Sequence, residues 1–314
     1  MSNLTTRVLV AAAGIPLILL VTTAGGFYFY GFVLAVALLG MREFYALARR
    51  KGFSPQTGTG MLLGALVVSV FLYFKLRQLI VGSLLDRGIQ VPFPSMAQAF
   101  LILALLFVPA VLVIELFRNR PGALANIAVT LFGAGYVGLF LGSLVGLREL
   151  FIPEDFPVYA YFGGPGQVAA ADAGATLHHW GGMTVIALFA AIWICDSAAY
   201  FAGRAFGRHM MFERVSPKKT WEGASAGCVA AVAAFLLARI LVLPYLPLAG
   251  AIVCGLVVGV FGQAGDLVES LLKRDAGVKD SSNLIPGHGG VLDRFDSLMF
   301  AAPLMFLYLD FVLF

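Results

Sequence analysis

Apolar residues run through this chain in long blocks. Nine blocks are long enough, or nearly so, to cross a bilayer as helices: residues 8–24, 27–40, 60–74, 97–117, 124–147, 183–203, 223–243, 248–268 and 298–314. The second and third are short and draw on flanking residues. Polar residues collect in the gaps. Two gaps, 204–222 and 269–297, hold enough polar chemistry to host an enzyme. No fixed-period repeat and no low-complexity tract interrupts the pattern. The pattern predicts an all-α polytopic integral membrane protein of about nine transmembrane helices, forming one domain over residues 1–314. The helices of 1–147 then serve as scaffold, and 183–314 carries the chemistry with its two charged loops.

Composition supports a lipid environment. Of 314 residues, 60% are hydrophobic and 12% charged, with mean hydropathy +0.92. A soluble domain carries about 25% charged residues. The distribution of Lys and Arg orients the chain. With the N-terminus in the cytoplasm, sixteen of the 21 basic residues fall on that side. They are Arg7; Arg42, Arg49, Arg50 and Lys51; Arg118 and Arg120; Arg204, Arg208, Arg214, Lys218 and Lys219; and Lys273, Arg274, Lys279 and Arg294. Lys75, Arg77, Arg87 and Arg148 fall opposite, and Arg239 lies in a span. The net charge of +4 therefore reflects topology and anionic headgroups rather than nucleic acid. The first span, uncleaved, fits the helix count better than a signal peptide does. Cys195, Cys228 and Cys254 all fall in spans and read as small buried hydrophobes, with no disulfide or zinc pattern. In the opposite-side loop 148–182, Glu149, Glu154, Asp155 and Asp172 precede His178, His179 and Trp180. It reads as an interfacial loop with an aromatic anchor. Glu115, Arg239 and Asp310 lie near span ends and read as interfacial.

The chemistry concentrates in three places. The sixth span ends with Asp196, Tyr200 and Arg204 at i, i+4 and i+8, on one helical face. Asp196 lies about 12 Å inside the helix end, where a carboxylate needs a cavity or a partner. The loop Ser216-Pro217-Lys218-Lys219-Thr220-Trp221-Glu222-Gly223 sets two lysines and two hydroxyls before a helix N-terminus, a place that attracts phosphate. The eighth span ends with Asp266, Ser270, Lys273 and Arg274 on one face. It leads into a loop whose residues Ser270–Asp296 hold four basic and four acidic side chains and a Pro286-Gly287-His288-Gly289-Gly290 turn. Asp293, Arg294 and Asp296 close that loop, and Asp293 and Asp296 share a face if the ninth helix starts early. Lys and Arg suit phosphate oxygens. Glycines let backbone N–H groups approach an anion. Asp266 and Asp293, brought together across linked spans, would bind Mg²⁺, which takes one or two carboxylates plus substrate phosphates. His288 reads as a phosphate contact or an acid/base group.

These residues resemble a known family. The stretch S-x-L-K-R-x4-K-D-x-S-x2-I-P-x-H-G-G-V-x-D-R-F-D, from Ser270 to Asp296, is similar to the signature of phosphatidate cytidylyltransferases, the CDP-diacylglycerol synthases. The D-S-A-A-Y-F-A-G-R-x-F-G-R run from Asp196 and the S-P-K-K-T-W-E-G run from Ser216 resemble it as well. Glu43-Phe44-Tyr45-Ala46-Leu47 is a weaker echo. The resemblance implies transfer of CMP from CTP to membrane phosphatidate, giving CDP-diacylglycerol and pyrophosphate, with Mg²⁺ and a second cation left open. It also implies a multi-pass protein of the cell (inner) membrane, with a site facing the cytoplasm, and a homodimer. On this reading Asp266, Asp293 and, third, Asp296 hold the metal. Asp266, Asp293, Lys273, Arg294 and His288 carry catalysis. Ser216, Lys218, Lys219, Thr220, Ser270, Arg274 and Gly289 build the anion cradle. Asp196 and Tyr200 line the cavity, and Asp280 orients Lys279 or meets nucleotide. A CTP-dependent polyprenol or lipid kinase is the alternative enzyme. An anion transporter would need charges at mid-membrane and an inverted repeat, and the sequence has neither.

Overall fold

The computed structural model describes residues 3–85, 87–88, 93–151 and 170–313; Glu154 and Asp155 lie outside these. The described chain is helical apart from one hairpin. Its helices are α1 (Asn3–Ala24), α2 (Gly26–Arg50), α3 (Thr57–Val70), α4 (Tyr73–Leu85), α5 (Met96–Arg118), α6 (Ala123–Gly133), α7 (Phe140–Arg148), α8 (Ala170–Phe206), α9 (Trp221–Leu241), α10 (Leu248–Leu256), α11 (Gln263–Asp275) and α12 (Leu292–Tyr308). Single π-helical segments join α6 to α7 (Ala134–Leu139) and α10 to α11 (Val257–Gly262), and another follows α12 (Leu309–Leu313). α6–α7 and α10–α11 are thus each one continuous span.

Among the described residues, eight helical segments are long and apolar enough to cross a membrane. The expected third span is a broken pair, Thr57–Val70 and Lys75–Val81, bent by 78°; counting it as one span gives nine. Several boundaries move. α2 runs on to Arg50 instead of ending at 40, because Glu43, Phe44, Tyr45, Leu47 and Ala48 continue its buried face. α8 begins at 170 rather than 183. α12 begins at Leu292, not 298, so Asp293 and Asp296 stand in its first turns.

The core lies between α2, α3, α7, α8, α9 and α12. Phe29, Val33, Ala37, Met41 and Tyr45 of α2 meet Val137, Leu141 and Leu144 of the α6–α7 span. Ala301, Ala302 and Met305 of α12 complete this core. α1 and α5 are peripheral and expose large apolar side chains such as Leu20, Leu105, Leu116 and Phe117, as lipid-facing helices do. α1 touches the rest through one narrow stripe, in which Val10, Ala11, Gly14, Ile18 and Val21 are half-buried and Thr22 is buried.

Polar networks gather at the two ends of the bundle. At one end Glu115 is 5% exposed rather than interfacial, and accepts from Gln56 Nε2 (2.8 Å), Asn126 Nδ2 (2.9 Å) and Arg118 (2.7 Å). It fixes the 51–56 connection to α5 and α6, where helix ends would otherwise leave buried backbone groups unpaired. At the other end the buried Arg148 donates from Nε to Thr22 O (2.7 Å) and from a terminal nitrogen to Thr23 O (3.2 Å), capping α1. Glu149 accepts from Gly26 N (2.7 Å) at the start of α2. His178 sits 2.9 Å from Arg148, so this histidine belongs to the α1–α2 corner. Cys195 and Cys254 are buried free thiols, as expected.

Candidate active site

The last turns of α8, the hairpin and the start of α9 build one wall. Residues 204–222, a charged loop by sequence, are partly ordered as strands. They contain β1 (Met210–Phe212) and β2 (Ser216–Thr220), paired antiparallel. Thr220 is the N-cap of α9, its hydroxyl accepting from Gly223 N (3.2 Å). Glu222 in the first turn of α9 accepts from the backbone of Arg208 (3.1 Å) and His209 (3.3 Å) and pairs with His209 Nδ1 (2.6 Å). The hairpin is thus tied to α8 at one end and to α9 at the other. It carries Ser216 half-buried, Lys218 exposed, and Lys219 pointing across to Asp266 of α11 with Nζ–Oδ2 2.5 Å. On α8, Asp196 and Tyr200 are exposed, and Arg204 donates weakly to the Tyr200 hydroxyl (3.4 Å).

The second wall is α11, the 276–291 loop and the start of α12. Asp266 and Ser270 sit one turn apart (Oγ–Oδ1 3.4 Å). Lys273, 8% exposed, lies between Glu269 and Asp293 and bonds Asp293 Oδ1 at 2.5 Å. The other oxygen of Asp293 accepts from Ser281 N (2.9 Å), Ser281 Oγ (2.9 Å) and Gly290 N (2.7 Å). Asp293 was expected beside Asp266. Both its oxygens are engaged, one by Lys273 of α11 and the other by the loop, because a buried lysine needs a counter-ion and two buried backbone N–H groups need an acceptor. Arg274 turns away and donates to Val278 O (2.8 Å), closing the end of α11.

Asp296, one turn further along α12, is a carboxylate within electrostatic reach of Asp266. Asp196, Asp266 and Asp296 stand within electrostatic reach of one another, beside Lys219, Lys273 and Arg294. Gly265 makes this approach possible: a Cβ there would lie 2.5 Å from Asp296 O, so α11 and α12 cross in near backbone contact. Among the described residues no three acid, imidazole or thiol groups close on one metal position. Three carboxylates with only hard oxygen donors, short of a full cage, suit Mg²⁺ better than a thiol- or imidazole-seeking ion.

Sequence reasoning underrated Glu43. It is 5% exposed, comes from α2, and accepts four hydrogen bonds: from Ser282 Oγ (2.6 Å), Val291 N (3.0 Å), Leu292 N (2.9 Å) and Ser281 Oγ (2.9 Å), whose one proton it shares with Asp293. It clamps both ends of the loop at once. The signal was a lone acid within an otherwise apolar helical run, which is costly unless partnered. Gly290 lies between this clamp and Asp293. A Cβ there would collide with Ser281 Oγ and the Glu43 carboxylate. Gly290→Ala is expected to displace the loop and lower turnover at least about tenfold, since misplacement by about 1 Å can cost more than that. Initial-rate measurement with the purified variant checks it.

Two spaces adjoin the carboxylates. A polar cavity of about 350 Å³ is lined by Lys279, Asp280, His288, Gly289 and Arg294 among others. A larger cleft of about 700 Å³ is walled by apolar side chains of α1, α2 and α8 and has Asp196, Asp293, Arg294 and Asp296 at its polar end. His288 and Arg294 line both spaces, and His288 Nδ1 is buried without a partner among the described residues. The arrangement can hold a water-borne polyanion beside an amphiphile, with cations and carboxylates where the two meet.

Comparison with known proteins agrees with this chemistry. The model of the cytidylyltransferase family matches residues 5–312. The chain is 34% identical over 305 residues to a phosphatidate cytidylyltransferase of Synechocystis sp., covering 97% of this chain and 96% of the relative. It is 35% identical over 311 residues to the protein of that name from Brucella suis (98% and 94%). It is 35% identical over 290 residues to phosphatidate cytidylyltransferase 5, chloroplastic, of Arabidopsis thaliana (91% and 67%).

Proposed function

Because the chain belongs to the cytidylyltransferase family, we propose that its Asp266–Asp296 region is the seat of that family's reaction on a membrane lipid. The enzyme transfers CMP from CTP to phosphatidate, giving CDP-diacylglycerol and pyrophosphate, as the names of its full-length relatives indicate. The observation that carries the assignment of the site is the polar cavity opening onto an apolar cleft, with His288 and Arg294 lining both. A kinase or a transporter is not favoured by any relative. The charged end of the bundle faces the cytoplasm on this reading, with the N-terminus beside it, in the cell membrane. The family resemblance is also the ground for proposing a homodimer, which a mass measurement in detergent tests.

In the reaction a phosphate oxygen of phosphatidate attacks the α-phosphorus of CTP. The α–β bridging P–O bond breaks and pyrophosphate leaves with its electron pair. Both reactants are anions, so positioning and charge neutralisation supply the rate. Asp266 and Asp296, with Asp196 beside them, would hold Mg²⁺. The bound ion would offset charge on the triphosphate and the leaving group. Lys219 pairs with Asp266 and is 28% exposed in its side chain, so its ammonium can meet a phosphate without leaving the carboxylate region. Lys218 on the same strand and Lys279 in the polar cavity add cations toward the triphosphate, and Arg294, which lines both spaces, stands where triphosphate and lipid phosphate meet. Lys273, Glu269 and Asp293 act from below as the support of the loop. The Gly289–Gly290 turn holds His288 at the junction of the two spaces.

Purified protein incubated with α-labelled CTP, phosphatidate and Mg²⁺ is expected to put label into extractable lipid, whereas γ-labelled CTP leaves the lipid unlabelled. The reverse pattern would identify a kinase and overturn the assignment.

A further inference from the structure

We propose that Arg7 is a ligand for the phosphate of the lipid substrate, and that the face of α1 running inward from it holds an acyl chain. This rests on the reaction proposed above. As sequence, Arg7 reads only as a topology marker. In the structure its Nε donates to Gly287 O (2.7 Å), joining the first helix to the glycine turn 280 residues away. A guanidinium carries five N–H donors. Among the described residues, those on its two terminal nitrogens have no acceptor, and the side chain is exposed. Arg7 lines the 350 Å³ polar cavity with Lys279 and Arg294, three cations against the single carboxylate of Asp280. That cavity has the electrostatics of an anion site.

The position on α1 selects which anion. Ala11, Gly14 and Ile18 follow Arg7 at i+4, i+7 and i+11, on one helical face, and all three line the apolar cleft. From Arg7 to Ile18 is about 16 Å at 1.5 Å per residue. This matches the roughly 15 Å depth of one leaflet's hydrocarbon. A Cβ on Gly14 would meet nothing within 4 Å, so the cleft is open at this turn of α1, between the half-buried Ala11 and Ile18. A free nucleotide makes no use of that stripe. An amphiphile with its phosphate at Arg7 and Arg294 and a chain along Gly14 uses all of it. The bond to Gly287 then aims the guanidinium and links the lipid-facing helix to the turn that carries His288.

Steady-state kinetics in mixed micelles separate the outcomes. Arg7→Gln is expected to raise KM for phosphatidate about 10–100-fold, the worth of a charge-assisted contact, with KM for CTP within about twofold of the parent. Arg7→Lys should recover part of the loss. Gly14→Phe, which fills the cleft without touching a charge, should raise KM for long-chain phosphatidate more than for a short-chain analogue. A rise in KM for CTP instead would overturn the proposal. So would a lowered kcat and melting temperature with both KM values unchanged, since Arg7 would then be a latch on Gly287 alone. Retention of fluorescent phosphatidate without CTP reads the site apart from turnover. Arg7-dependent binding by a chain that forms no CDP-diacylglycerol would sink the reaction and leave the site standing.

Discussion

Replacing Asp266 by Asn is expected to lower kcat by about 10²–10³-fold while leaving a folded, membrane-inserted protein. That is the usual loss when one preorganised charge contact is removed from a reacting centre. Asp266 is about one-third exposed in its side chain, bonded to Lys219 at 2.5 Å and 3.4 Å from Ser270 Oγ. It sits in a continuous helix and satisfies no buried backbone group, so the amide keeps its shape and loses only its charge. Asp296→Asn should behave alike, and both variants should need more Mg²⁺ for half-maximal rate. Asp293→Asn provides the contrast. Its carboxylate neutralises the buried Lys273 and accepts three hydrogen bonds from Ser281 and Gly290. That variant should fail first through stability, seen as a lower melting temperature, with an unchanged Mg²⁺ requirement in whatever fraction stays folded. Equal Mg²⁺ dependence in Asp266→Asn and the parent would sink the assignment of Asp266 to the metal.

The second large effect lies far from the loop in sequence. Glu43→Ala removes the acceptor of four hydrogen bonds and strands the N–H groups of Val291 and Leu292 in a buried place. Each stranded group costs about 1–3 kcal/mol, so a loss of about 2–6 kcal/mol is expected, enough to unfold a marginal protein. Glu43→Gln keeps one carbonyl acceptor and two N–H donors and should fall between. Thermal unfolding in detergent measures the stability, and the rate per folded molecule measures the loop. If Glu43 is a clamp and not a reactant, Glu43→Gln should lose kcat and stability together and leave both KM values nearly unchanged. A parent-like melting temperature in Glu43→Ala would refute the clamp.

Much of the fold was legible because the bilayer imposes a length. An apolar run of about twenty residues has one economical structure in lipid, the helix. Helix ends were harder to read. The charged run after Gly40 looked like a loop, yet α2 continues through Arg50 because Glu43 and its neighbours are buried by other elements. The bend between α3 and α4 and the 204–222 hairpin left no periodic trace; short strands and kinks are decided by what packs against them. In the site, charge density pointed to the 269–297 loop, which lines both spaces, because charges near lipid are costly without a purpose. It could not distinguish Asp293 from Asp296, three residues apart in one motif.

Sequence alone therefore determined that this is a polytopic helical membrane protein and where its charged loops lie. Its motifs already resemble the cytidylyltransferases, to which the chain belongs. Those properties follow from local composition: hydropathy over a span, charge within a loop, and a long ordered string of specific residues. The tertiary structure decided that Asp293 is engaged by Lys273, Ser281 and Gly290, and brought Asp196, Asp266 and Asp296 within electrostatic reach of one another. It also brought Glu43 to the loop from residues about 240 positions away, and Arg7 to the glycine turn from 280 away. The physical reason is that hydrogen-bond satisfaction and close helix crossing act across space. A Gly265 against Asp296 O or a Glu43 under Val291 N has no counterpart in neighbouring sequence. Such pairs exist only once the helices have packed.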